Sequence, residues 1–435
     1  MNVIVIITDS LRRDHVGCYG NDWIQTPNLD RFAAEATLIE HAYTEGLPTV
    51  PFRLSLLTGR FTFPFRGWVP LDAEERPMPE YLWDKGYRSA LISDVYHLHK
   101  PGMNFARGFD DVKWIRGQEW DPFVTDPIDV PLEKFHKPRP GVAGGDAQMI
   151  QYLRNRAYWK SEEDHFIAQV VKAGLEWIDA QVENDKFFLY LDCFDPHEPW
   201  DPPSPYDRMY GSEDYDGPEL ICPMGGTVEG YLSEEELDHV KALYAGEVTL
   251  VDRWVGIFLD GLRERGFFEN SLVIHVSDHG EPFGEHGIVR KMHCHPYEEL
   301  AHIPLIVYHP EGLGKGMRVP GFVETCDIMP TILDFLEIPS PETVQGASML
   351  PLLRGDKDRL RDYACCGQHK TCWSIKNERW SYMCWLRDGR EELYDREEDF
   401  TEQQDVVQDH PETAKQLRDE LFRFVGSIGG ETPEA

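Results

Sequence analysis

The residues after Met1 read NVIVIIT, a mostly apolar, β-branched run without polar alternation, closed by Asp9. A strand of that kind cannot leave one face in water; it belongs inside a parallel sheet covered by helices on both sides. Similar runs recur at Ser89 to Ser93 (SALIS), Lys186 to Phe194 (KFFLYLDCF), Ser271 to Val276 (SLVIHV) and Ile303 to Tyr308 (IPLIVY). Helical spacing separates them. Asn28 to Ala36 is one such segment and Phe52 to Thr58, closed by Gly59, is another. In Ser161 to Ala180, Ser161 and Asp164 form a capping signal, and Phe166, Val170, Ala173 and Trp177 line one face. Ser233 to Arg265 starts with a second cap, SEEE. Strands alternating with helices predict an α/β fold, a doubly wound and mostly parallel sheet.

The pattern changes after about Ser340. Between Arg361 and Asp395 the chain offers short alternating runs (RDYACCG, TCWSIK, RWSYMCW, EELYD) at hairpin spacing, and a last helix is expected over Glu412 to Phe424. This divides the chain into a catalytic α/β domain, 1–340, and a smaller α+β subdomain, 341–435, with a four-stranded antiparallel sheet and one helix. Gly102 to Tyr152 is Pro-rich and weakly periodic, and reads as a long functional loop.

The formal net charge of −34 opposes binding to nucleic acid or an anionic membrane. An anionic substrate would need a local positive site. The nine cysteines have no C-x-x-C pair and no framework spacing, which predicts reduced thiols in a cytoplasmic protein and no structural zinc. Met1 runs straight into the first strand, so neither a signal peptide nor a membrane span is expected.

Acidic and histidine residues gather where strands end, which is where open α/β sheets place their sites. Asp9 closes the first strand, Asp195 and His197 follow the KFFLYLDCF strand, and Asp278 and His279 follow SLVIHVS. Carboxylates with an imidazole suit a divalent cation, Mn or Zn ahead of Ca or Mg. In LPTVPFRLSLLTGR, Leu47 to Arg60, Thr49 is placed at a helix N-cap with Pro51 in the first turn. Arg53 follows one turn on, on the same face. A hydroxyl, a helix N-terminus and an arginine together suit an attacked phosphoryl or sulfuryl group.

That segment resembles the sulfatase signature, C/S-x-P-x-R-x-x-x-L-T-G-R, in Pro51, Arg53, Leu57, Thr58, Gly59 and Arg60. TDSLRRDHVGCYG with TPNLDRFAAE is similar to the family's opening block. SDHGEPFGEHG is similar to its second metal block, Lys291 with YEELAHIPLIV to its lysine block, and DPHEPWDPP to its central histidine block. TCDIMPTILDFLEI and LYDREEDFTEQQDV resemble its late signatures. The resemblance, to the sulfatase branch of the alkaline phosphatase superfamily, covers nearly the whole chain. It implies one divalent metal held by Asp9, Asp278, His279 and the Thr49 oxygen. It implies that Arg53 and Lys291 stabilise charge on the transferred group and leaving oxygen. His197 becomes an acid for the leaving group or a substrate contact, and His97 and Asp195 become substrate-binding. Asp195 and His197 with His295, and His293 beside it, are the alternative set for a second cation, against which Lys291 argues by filling that ion's place.

Three departures bear on the chemistry. Sulfatases mature a Cys or Ser to formylglycine, and Thr49 cannot give that aldehyde, but it can attack as an alkoxide. Ser10 stands where a second acidic ligand is usual, and Val95 where many members have a lysine. The reading is therefore a metal-dependent hydrolase of a phosphate or phosphonate ester, as in a phosphodiesterase or phosphonate monoester hydrolase, with Thr49 as nucleophile. The alternatives are a sulfate-ester hydrolase using unmodified Thr49, and a non-catalytic binding protein that keeps the fold. The expected partner is a small anionic ester, and the sequence is compatible with a homo-oligomer. Trp114, Trp120, Trp159 and Trp200 are candidates for an apolar pocket around its organic part.

Overall fold

The computed structural model describes residues 1–129, 131–142, 145–181, 186–291 and 295–432. Its strands, in chain order, are β1 (Asn2–Thr8), β2 (Thr37–Tyr43), β3 (Arg88–Ser93), β4 (Asp111–Trp114), β5 (Phe187–Cys193), β6 (Gly226–Thr227), β7 (Ser271–Ser277) and β8 (Ile288–Val289). They continue with β9 (His302–Ile303), β10 (Leu305–Tyr308), β11 (Arg318–Glu324), β12 (Ala364–Gln368), β13 (Cys372–Lys376), β14 (Trp380–Trp385) and β15 (Glu391–Asp395).

The large sheet has the order β11-β2-β10-β7-β1-β5-β3-β4, with β9 added against β2. β1 pairs in parallel with β5 and β7, and β3 with β5 and β4; β10 runs antiparallel between β7 and β2. As the unbroken apolar run predicts, β1 is buried on both faces. Ile4 and Ile6 enter one core with Leu189 and Leu191, while Val3, Val5 and Ile7 enter the other with Phe188, Tyr190 and Ile274. Each such side chain contributes about 1.5–3 kcal/mol relative to exposure. The register is what positions the site. Thr8 lies opposite both Cys193 and Ser277, so β1, β5 and β7 end level and the residues that follow them emerge side by side.

The expected small sheet is present, in the order β12-β13-β14-β15, with the helix Pro411–Ser427 packed on it through Leu417, Leu421 and Val425. Other expectations need correction. The helix expected over Ser161 to Ala180 is broken: Ser161 and Asp164 cap a short 3-10 turn, His165 is extended, and the α-helix runs Phe166–Asp179. The Gly102 to Tyr152 stretch holds β4, a short helix Leu132–Phe135 and the start of the helix Asp146–Arg156. No helix among the described residues is long and apolar enough to cross a membrane.

Candidate active site

Asp9 follows β1, and Asp278 and His279 follow β7, so the parallel register of β1 and β7 brings the three together. Their ligand atoms all lie within 4.8 Å of one another and all three residues are fully buried. The chain turns sharply after Asp9. Ser10 takes the left-handed conformation, φ 61°, which aims its N–H at Asp278 Oδ1, 2.9 Å away.

Thr49 is not the helix cap. Pro48 occupies that position, and Thr49 is the first residue of the helix Thr49–Thr58. The hydroxyl is thereby released from capping, and Thr49 Oγ1 lies 3.4 Å from His279 Nε2. His279 Nδ1 is 2.8 Å from the Gly280 carbonyl, to which it donates when its hydrogen sits there; that leaves Nε2 as the acceptor facing Thr49, Asp9 and Asp278. Burial holds this imidazole neutral, its pKa pulled down to about 4.

Arg53, one turn along, is fully buried among carboxylates. Its Nε and Nη2 donate to Asp192 at 2.8 and 2.6 Å, and Nη2 also lies 3.2 Å from Asp9 Oδ2. Its Nη1 donates to Asp278 Oδ2 at 2.7 Å and to the Thr49 carbonyl at 3.0 Å. Four of the five guanidinium N–H groups are hydrogen-bonded, and the fifth, on Nη2, faces Asp9 Oδ2 as an ion pair. In this arrangement Arg53 holds Asp9, Asp278 and Thr49 in place.

Lys291 lies on the other side of Ser10. Its Nζ is 3.2 Å from Ser10 Oγ, 2.9 Å from Glu281 Oε2 and 3.2 Å from Glu198 Oε2. Burial alone would lower the ammonium's pKa, but Glu198 and Glu281 hold it above the usual lysine range. His197 is stacked on Phe194, ring centroids 3.9 Å apart, with Nδ1 2.7 Å from the Glu198 carbonyl. Burial pulls its pKa down to about 3, against the pull of Glu198, so it stays neutral.

The structure does not bring the remaining expected residues into this group. Asp195 accepts from the Ile167 N–H at 2.9 Å and from Gln118 Nε2 at 3.1 Å; it is spent on the start of the Phe166–Asp179 helix. His97 Nε2 is 2.7 Å from Glu119 Oε2, and Trp68 lies edge-on to the ring. His295 packs beside Tyr297 and Trp385. Asp195, His197 and His295 therefore form no ligand group among the described residues, where Asp9, Asp278 and His279 make the single such group. His293 lies outside the described residues. Of the four tryptophans, Trp200 is a core residue against Tyr244 and Phe283, Trp114 stacks on His99, Trp159 lies tilted against His165, and Trp120 is exposed.

Sequence reasoning missed Asp192, Glu198, Glu281, Glu119 and Arg290. Asp192 had a readable signal: a carboxylate inside a buried strand needs a cationic partner. The others depend on contacts across the fold.

A divalent cation fits the donor set of Asp9, Asp278 and His279. Asp9 Oδ2 is buried with no hydrogen-bond partner. Burial, then Asp278, keep the Asp9 carboxyl well above its usual range despite Arg53. Two buried carboxylates and a neutral imidazole supply the oxygen and nitrogen ligands such an ion takes.

The sulfatase family model matches residues 1–338. The chain belongs to the sulfatase family. A second model, N-sulphoglucosamine sulphohydrolase, C-terminal, matches residues 284–425. An arylsulfatase of Clostridium perfringens is 28% identical over 97% of this chain and 94% of its own length. The multifunctional alkaline phosphatase superfamily protein PehA of Trinickia caryophylli is 28% identical over 82% of this chain and 77% of its own. The solved structure of a phosphonate monoester hydrolase from Silicibacter pomeroyi superposes with a TM-score of 0.78 at 22% identity, covering 99% of this chain and 96% of that one. The sulfatase-family chain is thus an ester hydrolase with the alkaline-phosphatase-like fold expected from its strands.

Proposed function

We propose that this chain hydrolyses a phosphate- or phosphonate-ester bond through attack by Thr49, with a divalent cation held by Asp9, Asp278, His279 and the Thr49 oxygen. The observation that carries the reading is the buried Thr49 hydroxyl, 3.4 Å from His279 Nε2, on a helix whose arginine also grips Asp9 and Asp278. When bound, the cation would lower the pKa of that hydroxyl and offset charge on the transferred group. Mn or Zn suits the imidazole best, with Ca or Mg next.

The chain's own groups divide the remaining work. Arg53 positions the ligands and the nucleophile. Lys291 remains an ammonium beside Ser10 and supports the leaving oxygen by its charge. His197, neutral with Nδ1 against a carbonyl, presents Nε2 as an acceptor, so the role of acid for the leaving group fits it poorly. Charge balance supports monoanionic esters over phosphate monoesters. Val95, where many members carry a lysine, is fully buried, and the His97 imidazole faces the Glu119 carboxylate. Both features remove positive charge from the place that would hold a second anionic oxygen. Sulfate monoesters are also monoanions, and the likeness to an arylsulfatase supports them as the second reading.

The test is a set of 4-nitrophenyl esters assayed with the cation-loaded enzyme. Phenylphosphonate monoester and phosphodiester should exceed phosphate monoester in kcat/KM by about tenfold or more, the scale of one unmatched charge at about 1.4 kcal/mol. A sulfate ester cleaved faster than every phosphorus ester would replace the first reading with the second. Chelation should remove activity, and re-addition of one ion per chain should restore it. Full turnover after exhaustive chelation would end the metal-dependent reading.

A further inference from the structure

We propose that Glu198 is a positioning residue that aims the Lys291 ammonium at the leaving oxygen; this rests on the ester-hydrolase reading above. Glu198 follows His197 in the loop after β5, and its side chain is 2% exposed. Three groups converge on its carboxylate. Arg290 Nε donates to Oε1 at 2.7 Å, and Arg290 Nη2 reaches the same oxygen. Lys291 Nζ donates to Oε2 at 3.2 Å, and His197 Nδ1 lies 3.3 Å from Oε2. Burying a carboxylate is costly unless it is paired, and here two neighbouring cations share it.

The segment carrying those cations is held under strain. Arg290 takes φ 59°, a left-handed conformation that is unfavourable for a non-glycine residue. That conformation lets Arg290 and Lys291, adjacent in sequence, both address Glu198. Arg290 is tied further by donating from Nη1 to the Pro223 carbonyl at 3.1 Å. Lys291 Nζ donates to both Glu198 and Glu281 and also to Ser10 Oγ, which itself donates to Asp9 Oδ1 at 3.1 Å. A flexible lysine has many rotamers. Its two carboxylate partners and Ser10 Oγ hold the ammonium at the Asp9 side of the site. Glu281 lies in the loop after β7, whereas Glu198, in the loop after β5, touches both Lys291 and His197 and so ties the ammonium to the β5 side of the site. Glu198 is therefore what sets its aim.

The test compares phenyl and 4-nitrophenyl esters of the acid that the wild-type enzyme cleaves. A poor leaving group needs support on its oxygen and an activated one needs little. Glu198→Gln should lower kcat for the phenyl ester by about 100-fold, the scale of one lost charge-stabilising donor. The 4-nitrophenyl ester should fall by less than about tenfold, and KM should stay within about threefold. Glu198→Asp, which keeps the charge, should recover part of the loss. In the Lys291→Met background, Glu198→Gln should have almost no further effect, because the two act as a unit. Thermal melting identifies a variant that fails to fold; the Asp variant and the cycle then carry the test. Equal losses on both esters, or losses that multiply in the Lys291→Met background, would overturn the proposal. The leaving-group comparison does not depend on the nucleophile, so loss of the Thr49 reading would leave it interpretable.

Discussion

Thr49→Ala is expected to lower kcat on the order of 10³-fold or more, with KM changed far less, because a covalent route is removed while the binding site remains. Thr49 is buried at the first turn of its helix, its hydroxyl makes no cap, and its neighbour within reach is His279. Folding has no evident need for the hydroxyl there, so stability should fall by less than about 1.5 kcal/mol. Thr49→Ser keeps the oxygen and should retain activity within about tenfold. Thr49→Cys separates the two readings of the family. In a host that makes formylglycine, Pro51 and Arg53 supply the surrounding motif, and the variant should gain sulfate-ester hydrolysis. A Thr49→Ala enzyme that turns over at near the wild-type rate would reassign the attack to water and leave Thr49 a spectator. Mass spectrometry of a quenched reaction should find the transferred group on the Thr49 peptide, and its absence from single-turnover samples would argue the same way.

The parts of this site legible in the sequence are those fixed by strand ends. An unbroken apolar run such as Asn2–Thr8 announces both a central strand and the place where its following residue emerges. Asp9, Asp278 and His279 could therefore be found before the register of β1 and β7 was known. β2 was not legible, because TLIEHAY places Glu40 and His41 in mid-strand, where Glu40 pairs with Arg13 and Arg318 and His41 stacks on Phe322. β11, RVPGFVE, is masked by Pro and Gly and is bulged between Val319 and Phe322. Asp195 was misleading for a related reason. A carboxylate after a strand can serve the sheet's site or the next helix, and the Ile167 amide that claims it is 28 residues away. Helix breaking at His165 is what makes that amide available. Glu198 and Glu119 were invisible because their partners, Lys291, Arg290 and His97, meet them only in the folded chain.

Arg53→Met should be the most destabilising single change at the site, by about 3–5 kcal/mol in the metal-free protein. The guanidinium is fully buried between Asp192, Asp9 and Asp278, and an apolar replacement leaves three buried carboxylates facing each other. Their states differ without it. Asp278, which His279, Arg53 and hydrogen bonds from its neighbours hold below the usual carboxylate range in spite of burial, loses its one guanidinium support. Asp192 is already raised by burial and would be left with no cation at all. A bound divalent ion can replace the missing charge at Asp9 and Asp278 but cannot reach Asp192 by any contact in this fold. Excess cation should therefore restore only part of the melting temperature. Adding Asp192→Asn to Arg53→Met should restore about 1–3 kcal/mol more, because the stranded charge is gone. Activity should not return with stability, since nothing then fixes the Thr49 carbonyl and the Asp9 and Asp278 carboxylates together. If the double variant recovered kcat to within about tenfold of wild type, Arg53 would be a counter-ion for Asp192 alone. If Arg53→Met raised KM and spared kcat, it would instead be a substrate clamp, with an N–H released from Asp192 or Asp9 on binding.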